Sequence, residues 1–329
     1  MFKKLFMSVV VLSLLAAGGV MYWAKQPVID AGQPIAFTVM PGSGLDSVMQ
    51  QIASAGVPVN PELLGLVARL TGKSGRLKAG SYEIKPGTTP LRLITQLVRG
   101  EFAQESLTVI EGWTFRQMRE AVDAQSSLKH DTQSLSDAEL MAKITTDYSL
   151  PEGLFAPDTY LFAKGASDLQ VYKQAHALLL KRLNQAWEAR DVTLPYKTPY
   201  EALIMASMIE KETGRKEERT SIAGVFINRL RIGMPLQTDP TVIYGMGDAY
   251  KGNIRKRDLT TDTPYNTYMR VGLPPTPISL PGNESLLAAM NPAKTDALYF
   301  VAKGDGSSHF SSTLSEHNQA VNKYQRQAS

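Results

Sequence analysis

The chain has 329 residues, of which 43% are hydrophobic and 20% charged, and its formal net charge is +4. That composition builds one large or two smaller globular domains and excludes a disordered or low-complexity chain. Cysteine is absent, which excludes disulfides, thiolate nucleophiles and cysteine–zinc sites, while the mild positive charge is compatible with an anionic polymer or a membrane surface and requires neither.

Lys3 and Lys4 precede an uncharged, mostly apolar run over 5–24. At ~1.5 Å per residue a helix of that length spans about 30 Å, the thickness of a bilayer core. Tyr22 and Trp23 stand near its outer end, where amphipathic rings favour the interface. The run is expected to be a single-pass anchor, with residues 1–4 inside and everything after the anchor outside. A cleaved signal peptide fits less well, because Tyr22 is bulky for a cut after Ala24. The stretch Leu14-Leu15-Ala16-Ala17-Gly18-Gly19 has the look of a lipoprotein site without its cysteine. A polar linker over 25–34 follows.

Three segments then repeat one pattern of strand, glycine turn and amphipathic helix. Phe37-Thr38-Val39-Met40-Pro41-Gly42 leads into Leu45, Val48 and Ile52, and Tyr82-Glu83-Ile84-Lys85-Pro86-Gly87 leads into Leu91, Ile94 and Leu97. Leu107-Thr108-Val109-Ile110-Glu111-Gly112 leads into Phe115, Met118 and Val122. Two such units resemble LysM modules, small folds that bind N-acetylglucosamine polymers; a β-turn-α unit with no sugar site fits the pattern equally. The expected architecture is α+β: the anchor, a small LysM-like βα domain over 35–106, and a mixed α/β domain over 107–329 that opens with a bridging segment.

Within the larger domain, 125–148 reads as polar and helical, and 150–160 as a loop rich in turn formers and aromatics. A long helix is expected over 168–190, with Val171, Ala175, Leu178, Leu179 and Leu183 on its apolar face. Prolines cluster over 263–281, which predicts a long ordered loop or short strands, and loops of that length are usually functional.

The candidate acid lies between these segments. Thr198, Pro199 and Glu201 read as a helix start with a capping box, and Gly214 as the helix stop. Residues 202–209 carry no charge, so the helix is expected to be buried nearly all round. Glu210 closes it, with small Ser207 and Ala206 at three and four back leaving a groove beside the carboxyl. Burial and the negative end of the helix dipole both favour the protonated form that a general acid needs. An ordinary surface glutamate opposite Lys211 and Arg215 is the plainer reading. Glu212 is the local rival, on the bulkier face of Met208 and Ile209, and Glu217 and Glu218 read as caps of the next helix. That helix runs through Ile222, Val225, Phe226 and Leu230 and stops at Gly233. Beyond it, Gln237 and Tyr244 are candidates to line a sugar groove, while Asp239 before Pro240 reads as a candidate contact or a plain helix cap.

Other signals carry nothing. Val67 stands where a phosphate-binding loop before Lys73 and Ser74 would need glycine. His130, His176, His309 and His317 lack a zinc spacing, and no serine elbow is present, so no metal or cofactor is expected. The basic residues Lys251, Arg255, Lys256 and Arg257 read as a solvated face, and nothing points to nucleic acid.

A family resemblance joins these segments. Ile209-Glu210-Lys211-Glu212-Thr213, Val225-Phe226-Ile227-Asn228-Arg229-Leu230 and Leu236-Gln237-Thr238-Asp239-Pro240-Thr241-Val242-Ile243-Tyr244-Gly245 are similar to the endolytic murein transglycosylase family (MltG, YceG-like). So are Tyr265-Asn266-Thr267-Tyr268, Gly272-Leu273-Pro274-Pro275, Pro281-Gly282, Tyr299-Phe300-Val301 and His309-Phe310, with Glu111-Gly112-Trp113-Thr114 and Pro157-Asp158-Thr159-Tyr160 upstream. Thr276 departs from the family, which commonly has glycine there. The resemblance implies a protein anchored in the inner membrane, with a LysM-like part and a periplasmic catalytic domain. It implies cleavage of peptidoglycan glycan strands between N-acetylmuramic acid and N-acetylglucosamine, with Glu210 as acid and then base and a 1,6-anhydro ring as product. Tyr265, Asn266 and Tyr268 join Gln237, Asp239 and Tyr244 as candidate substrate contacts. Peptidoglycan synthases are the expected protein partners. Two other readings stay open on the residues alone: a non-catalytic wall-binding scaffold, and a lysozyme-like hydrolase with Asp239 or Glu212 as second carboxylate.

Overall fold

The computed structural model describes residues 2–326, with the side chains of 2–6, 8, 9, 13 and 326 outside the description. The chain divides into two compact units. The first reaches to Ser106 and adds Ser127–Lys129 and Leu161–Ala166; the second comprises Leu107–Ser126, His130–Tyr160 and the chain from Ser167 onward. The architecture is α+β, helices with small two-stranded sheets.

The first unit begins with α1 (Phe2–Trp23) and continues through β1 (Ile35–Val39), α2 (Leu45–Ser54), α3 (Pro61–Leu70), β2 (Gly80–Ile84) and α4 (Pro90–Arg99). Met7, Val10, Val11, Leu12, Leu14 and Leu15 are exposed on α1. No helix among the described residues is long and apolar enough to cross a membrane, and part of the run expected as an anchor lies outside the described side chains. β1 and β2 pair antiparallel with Phe37 opposite Tyr82. Their inward residues alternate, as a half-buried sheet requires, and the two rings stack at 5.4 Å. Val48, Met49, Ile52, Leu64, Val67, Leu93, Ile94 and Leu97 close the core beneath them. Asn60 and Thr89 cap α3 and α4 ahead of a first-turn proline. α3 adds a helix that the β-turn-α repeat itself does not contain.

β3 (Gln104–Thr108) pairs with β4 (Thr159–Ala163), and the second unit carries α5 (Phe115–Asp123) and α6 (Asp137–Ile144). α7 (Asp168–Glu188), α8 (Pro199–Glu212), α9 (Arg219–Arg231), α10 (Asp239–Met246) and the short α11 (Lys256–Thr260) follow. A loop without helix or strand runs to α12 (Asn283–Met290), and the antiparallel pair β5 (Tyr299–Ala302) and β6 (Ser308–Ser311) precedes α13 (Leu314–Val321). Helix over 125–148 is confined to α6, because turns occupy the polar residues before it.

Three helix-end expectations are corrected. Thr198 does cap α8 through the Glu201 N–H, but the Glu201 carboxylate accepts from Lys197 N at 2.6 Å, so no capping box closes. The helix stops because Thr213 turns extended (φ −142°, ψ 136°), and Gly214 takes no left-handed cap. Glu218 likewise makes no capping bond; its carboxylate accepts from the Ser308 N–H and hydroxyl at 2.7 and 2.8 Å.

At the start of α7 the fully buried Asp168 accepts from Asp131 N, Thr132 N and the Thr132 hydroxyl at 3.1, 3.1 and 2.7 Å. Removing it strands buried donors, so Asp168→Ala is expected to lower stability by about 2–4 kcal/mol. Urea unfolding measures this, and a change below about 0.5 kcal/mol would contradict the account.

Candidate active site

α8 is the axis of the second unit. Residues 202–209 are all buried, because α7, α9, α10 and α12 surround them. Ser207 receives the proline-rich loop: its hydroxyl donates to Ile204 O at 2.7 Å and accepts from Ile278 N at 3.0 Å, and Ser279 Oγ donates to Ser207 O at 3.1 Å. The small face of Ala206 and Ser207 therefore seats this loop; it does not stand open as a groove.

The loop in turn builds the surroundings of Glu210. Gly282 N and Ser285 Oγ donate to Oε2 at 2.9 and 2.7 Å, and Arg219 Nη2 donates to Oε1 at 3.1 Å. The Glu210 and Arg219 side chains are each 5% exposed. A buried ion pair survives when its remaining lone pairs are satisfied, and the two extra donors do that. Gly282 and Ser285 come from 72 and 75 residues away in the chain, out of reach of any local pattern.

The turn of the third β-turn-α repeat lies against the same end of α8. Gly112 has φ 78°, its N–H donates to Leu280 O at 2.9 Å, and Lys211 Nζ donates to its carbonyl at 3.1 Å. Leu280 N returns a bond to Trp113 O at 2.6 Å. The preceding residue, Glu111, brings its carboxylate to 3.9 Å from Arg219 Nη2. It also lies over Gly282, where an added Cβ would stand 2.1 Å from Glu111 Oε1, so a side chain there would displace the Glu111 carboxylate.

On the other side of the α8 end, Glu212 accepts from the Thr238 hydroxyl at 2.5 Å, and burial holds its carboxyl above the usual range. Asp239, exposed at the first turn of α10, accepts from the Tyr268 hydroxyl at 2.6 Å. Gln237 is exposed at φ 51°, the one non-glycine with positive φ among the described residues. Backbone strain of that kind costs of order 1–3 kcal/mol and collects at functional sites.

A third polar group centres on Glu152, which accepts from Phe115 N and the Tyr244 hydroxyl, both at 3.0 Å. The Tyr244 ring meets Tyr265 edge-on at 4.9 Å, and the Tyr265 hydroxyl bonds Thr276 at 2.8 Å. Thr276, where the resemblance leads one to expect glycine, thus fixes Tyr265. Asn266 is buried; its amide donates to the Asp258, Leu259 and Thr261 carbonyls and accepts from Tyr268 N, which organises the loop carrying both tyrosines.

The YceG-like family pattern matches residues 37–323. The chain belongs to the YceG-like family. It is 32% identical over 333 residues to the endolytic murein transglycosylase of Bacillus subtilis (strain 168), covering 94% of this chain and 91% of that protein. The endolytic murein transglycosylase of Streptococcus pneumoniae serotype 2 is 28% identical over 353 residues, covering 95% of this chain and 63% of its own length. A 2.6 Å crystal structure of a YceG-like protein from Listeria monocytogenes matches with a TM-score of 0.54 and 28% identity, covering 88% of this chain and 99% of that one.

In this YceG-like chain, sequence reasoning missed Arg219, Ser285, Glu111 and Glu152. Arg219 and Ser285 lie in helices with no local mark of their role. The two glutamates stand singly before a glycine in otherwise apolar turns, a signal that was legible.

Burial pushes the Glu152 carboxyl up to about 7 from 4.5, against the opposing bonds from Phe115, Tyr244 and Gly153. The folded protein therefore keeps a proton that the unfolded chain releases, and stability falls as pH rises from about 4.5 to about 7. Glu152→Gln is expected to remove that loss, roughly 3 kcal/mol over the window. Unfolding curves at several pH values for both proteins test this; an unchanged pH slope in the variant would contradict it.

Proposed function

We propose that this chain is an endolytic murein transglycosylase, cutting peptidoglycan glycan strands between N-acetylmuramic acid and N-acetylglucosamine and leaving 1,6-anhydro ends. The observation that carries the reading is the sheltered Glu210 carboxylate at the end of a buried helix, fixed by three donors. The names of the Bacillus and Streptococcus relatives support the same activity.

As a carboxylic acid, Glu210 gives its proton to the bridging oxygen. The bond to the muramic anomeric carbon breaks, and its electron pair goes to the departing oxygen. As a carboxylate, Glu210 then takes the proton of the same sugar's 6-hydroxyl while that oxygen closes the anhydro ring. A hydrolase normally needs a second carboxylate to act on water. Here the attacking hydroxyl is already part of the substrate, so one carboxyl serves both steps. Arg219, Gly282 and Ser285 hold the carboxyl in place through both steps. Gln237, Asp239, Tyr244, Tyr265 and Tyr268 contact the sugars, and Asn266 shapes their loop. Tyrosine offers a sugar ring a flat apolar face and a hydroxyl.

The rest of the reading rests on sequence. Lys3 and Lys4 before an uncharged run support an inner-membrane anchor over 5–24 with the catalytic domain, 107–329, in the periplasm. The β-turn-α repeat supports a LysM-like part over 35–106. An anchored cutter of that kind works on nascent strands beside the synthases that make them, ending strands during wall assembly. A wall-binding scaffold has no use for a sheltered, triply bonded carboxylate.

Purified glycan strands test the assignment. Wild-type protein is expected to release fragments with 1,6-anhydro ends by mass spectrometry, and Glu210→Gln to release none while melting at the wild-type temperature. Reducing ends from the wild type, or full activity in the variant, would overturn it.

A further inference from the structure

Among the described residues, Glu111 is the one carboxylate besides Glu210 that pairs with Arg219. We infer that Glu111 is a second catalytic carboxylate, facing the sugar and stabilising positive charge on the anomeric carbon while Glu210 moves the proton. The inference rests on the reading of Glu210 as acid and base.

The two carboxylates are 3.1 and 3.9 Å from the same guanidinium nitrogen, Arg219 Nη2. Two negative charges so close repel one another, and the arrangement stands because one buried cation faces both. Arg219 has no competing partner: its Nε and Nη1 are buried and unpaired among the described residues. The backbone that follows Glu111 is fixed. Its turn is tied to Leu280 through Gly112 and Trp113, and to Lys211 of α8. The missing Cβ at Gly282 is the space its carboxylate fills.

Exposure separates the two roles. The Glu210 side chain is 5% exposed and Glu111 46% exposed. A sheltered carboxyl suits proton transfer, and an open one beside it suits a ligand's charge; unequal surroundings are how paired carboxylates divide such work. The step balances without Glu111 forming a bond. The proton goes from Glu210 to the bridging oxygen, the carbon–oxygen electron pair follows it, and the 6-hydroxyl oxygen closes on the carbon as its proton returns to Glu210. Glu111 forms no bond and acts through space on the charge that grows between bond breaking and ring closure.

The test uses the full chain and purified glycan strands, with kcat, KM and melting temperature measured for wild type, Glu111→Gln, Glu111→Asp and, as reference, Glu210→Gln. Loss of a preorganised charge aimed at the transition state predicts a fall in kcat of about 10²–10³-fold for Glu111→Gln, with KM nearly unchanged. Glu111→Asp is expected to recover part of it. A Glu111→Gln kcat close to wild type overturns the inference. Should that variant melt early, the decision passes to Glu111→Ala with added formate: a dose-dependent rise in kcat supports the role, and no rise contradicts it. Inactive Glu210→Gln beside fully active Glu111→Gln would sink this inference alone, while active Glu210→Gln would sink the reading beneath it.

Discussion

A carboxylate and a guanidinium meet, almost without solvent, where α8 ends. The Glu210–Arg219 pair is the constraint to which the rest of the second unit answers. Desolvating two charges costs several kcal/mol each, and the attraction between them recovers this only with good geometry and no idle lone pairs. Gly282 and Ser285 complete the set, which is why the loop after Thr263 must run where it does and α12 must begin beside α8. The uncharged helix, the small Ala206 and Ser207 face and the glycine at 282 are separate consequences of one requirement.

Much of the scaffold was legible in the sequence because local physics sets it. The apolar spacing of Val171, Ala175, Leu178, Leu179 and Leu183 marked α7, and all but the half-buried Leu178 are buried. The strand, glycine and helix repeat appears as β1–α2, β2–α4 and β3–α5. The buried run before Glu210 followed from composition alone. What stayed hidden is non-local. Nothing near Glu210 announces that a backbone N–H 72 residues away will bind it. Helix ends were misread for a related reason: Glu201 and Glu218 find partners in Lys197 and Ser308 that compete with the capping bonds their spacing suggests.

The candidate substrate residues divide by what their polar atoms already do. Asn266 spends its amide on three carbonyls of its own loop. Tyr244 and Tyr265 form an edge-on pair tied below to Glu152 and Thr276, so their rings are held without being sealed away. Asp239 and Tyr268 pair at the rim, next to the strained Gln237. Strain persists only where surrounding structure over-determines it, and here Thr267 bonds the backbone on both sides of that residue.

The most direct measurement is a crystal structure of Glu210→Gln with a bound glycan fragment that spans the scissile bond. The account predicts the bridging oxygen within about 3.2 Å of the side chain at position 210, the reach of proton transfer. A fragment bound with that oxygen beyond the reach of position 210, even through one water, would contradict it.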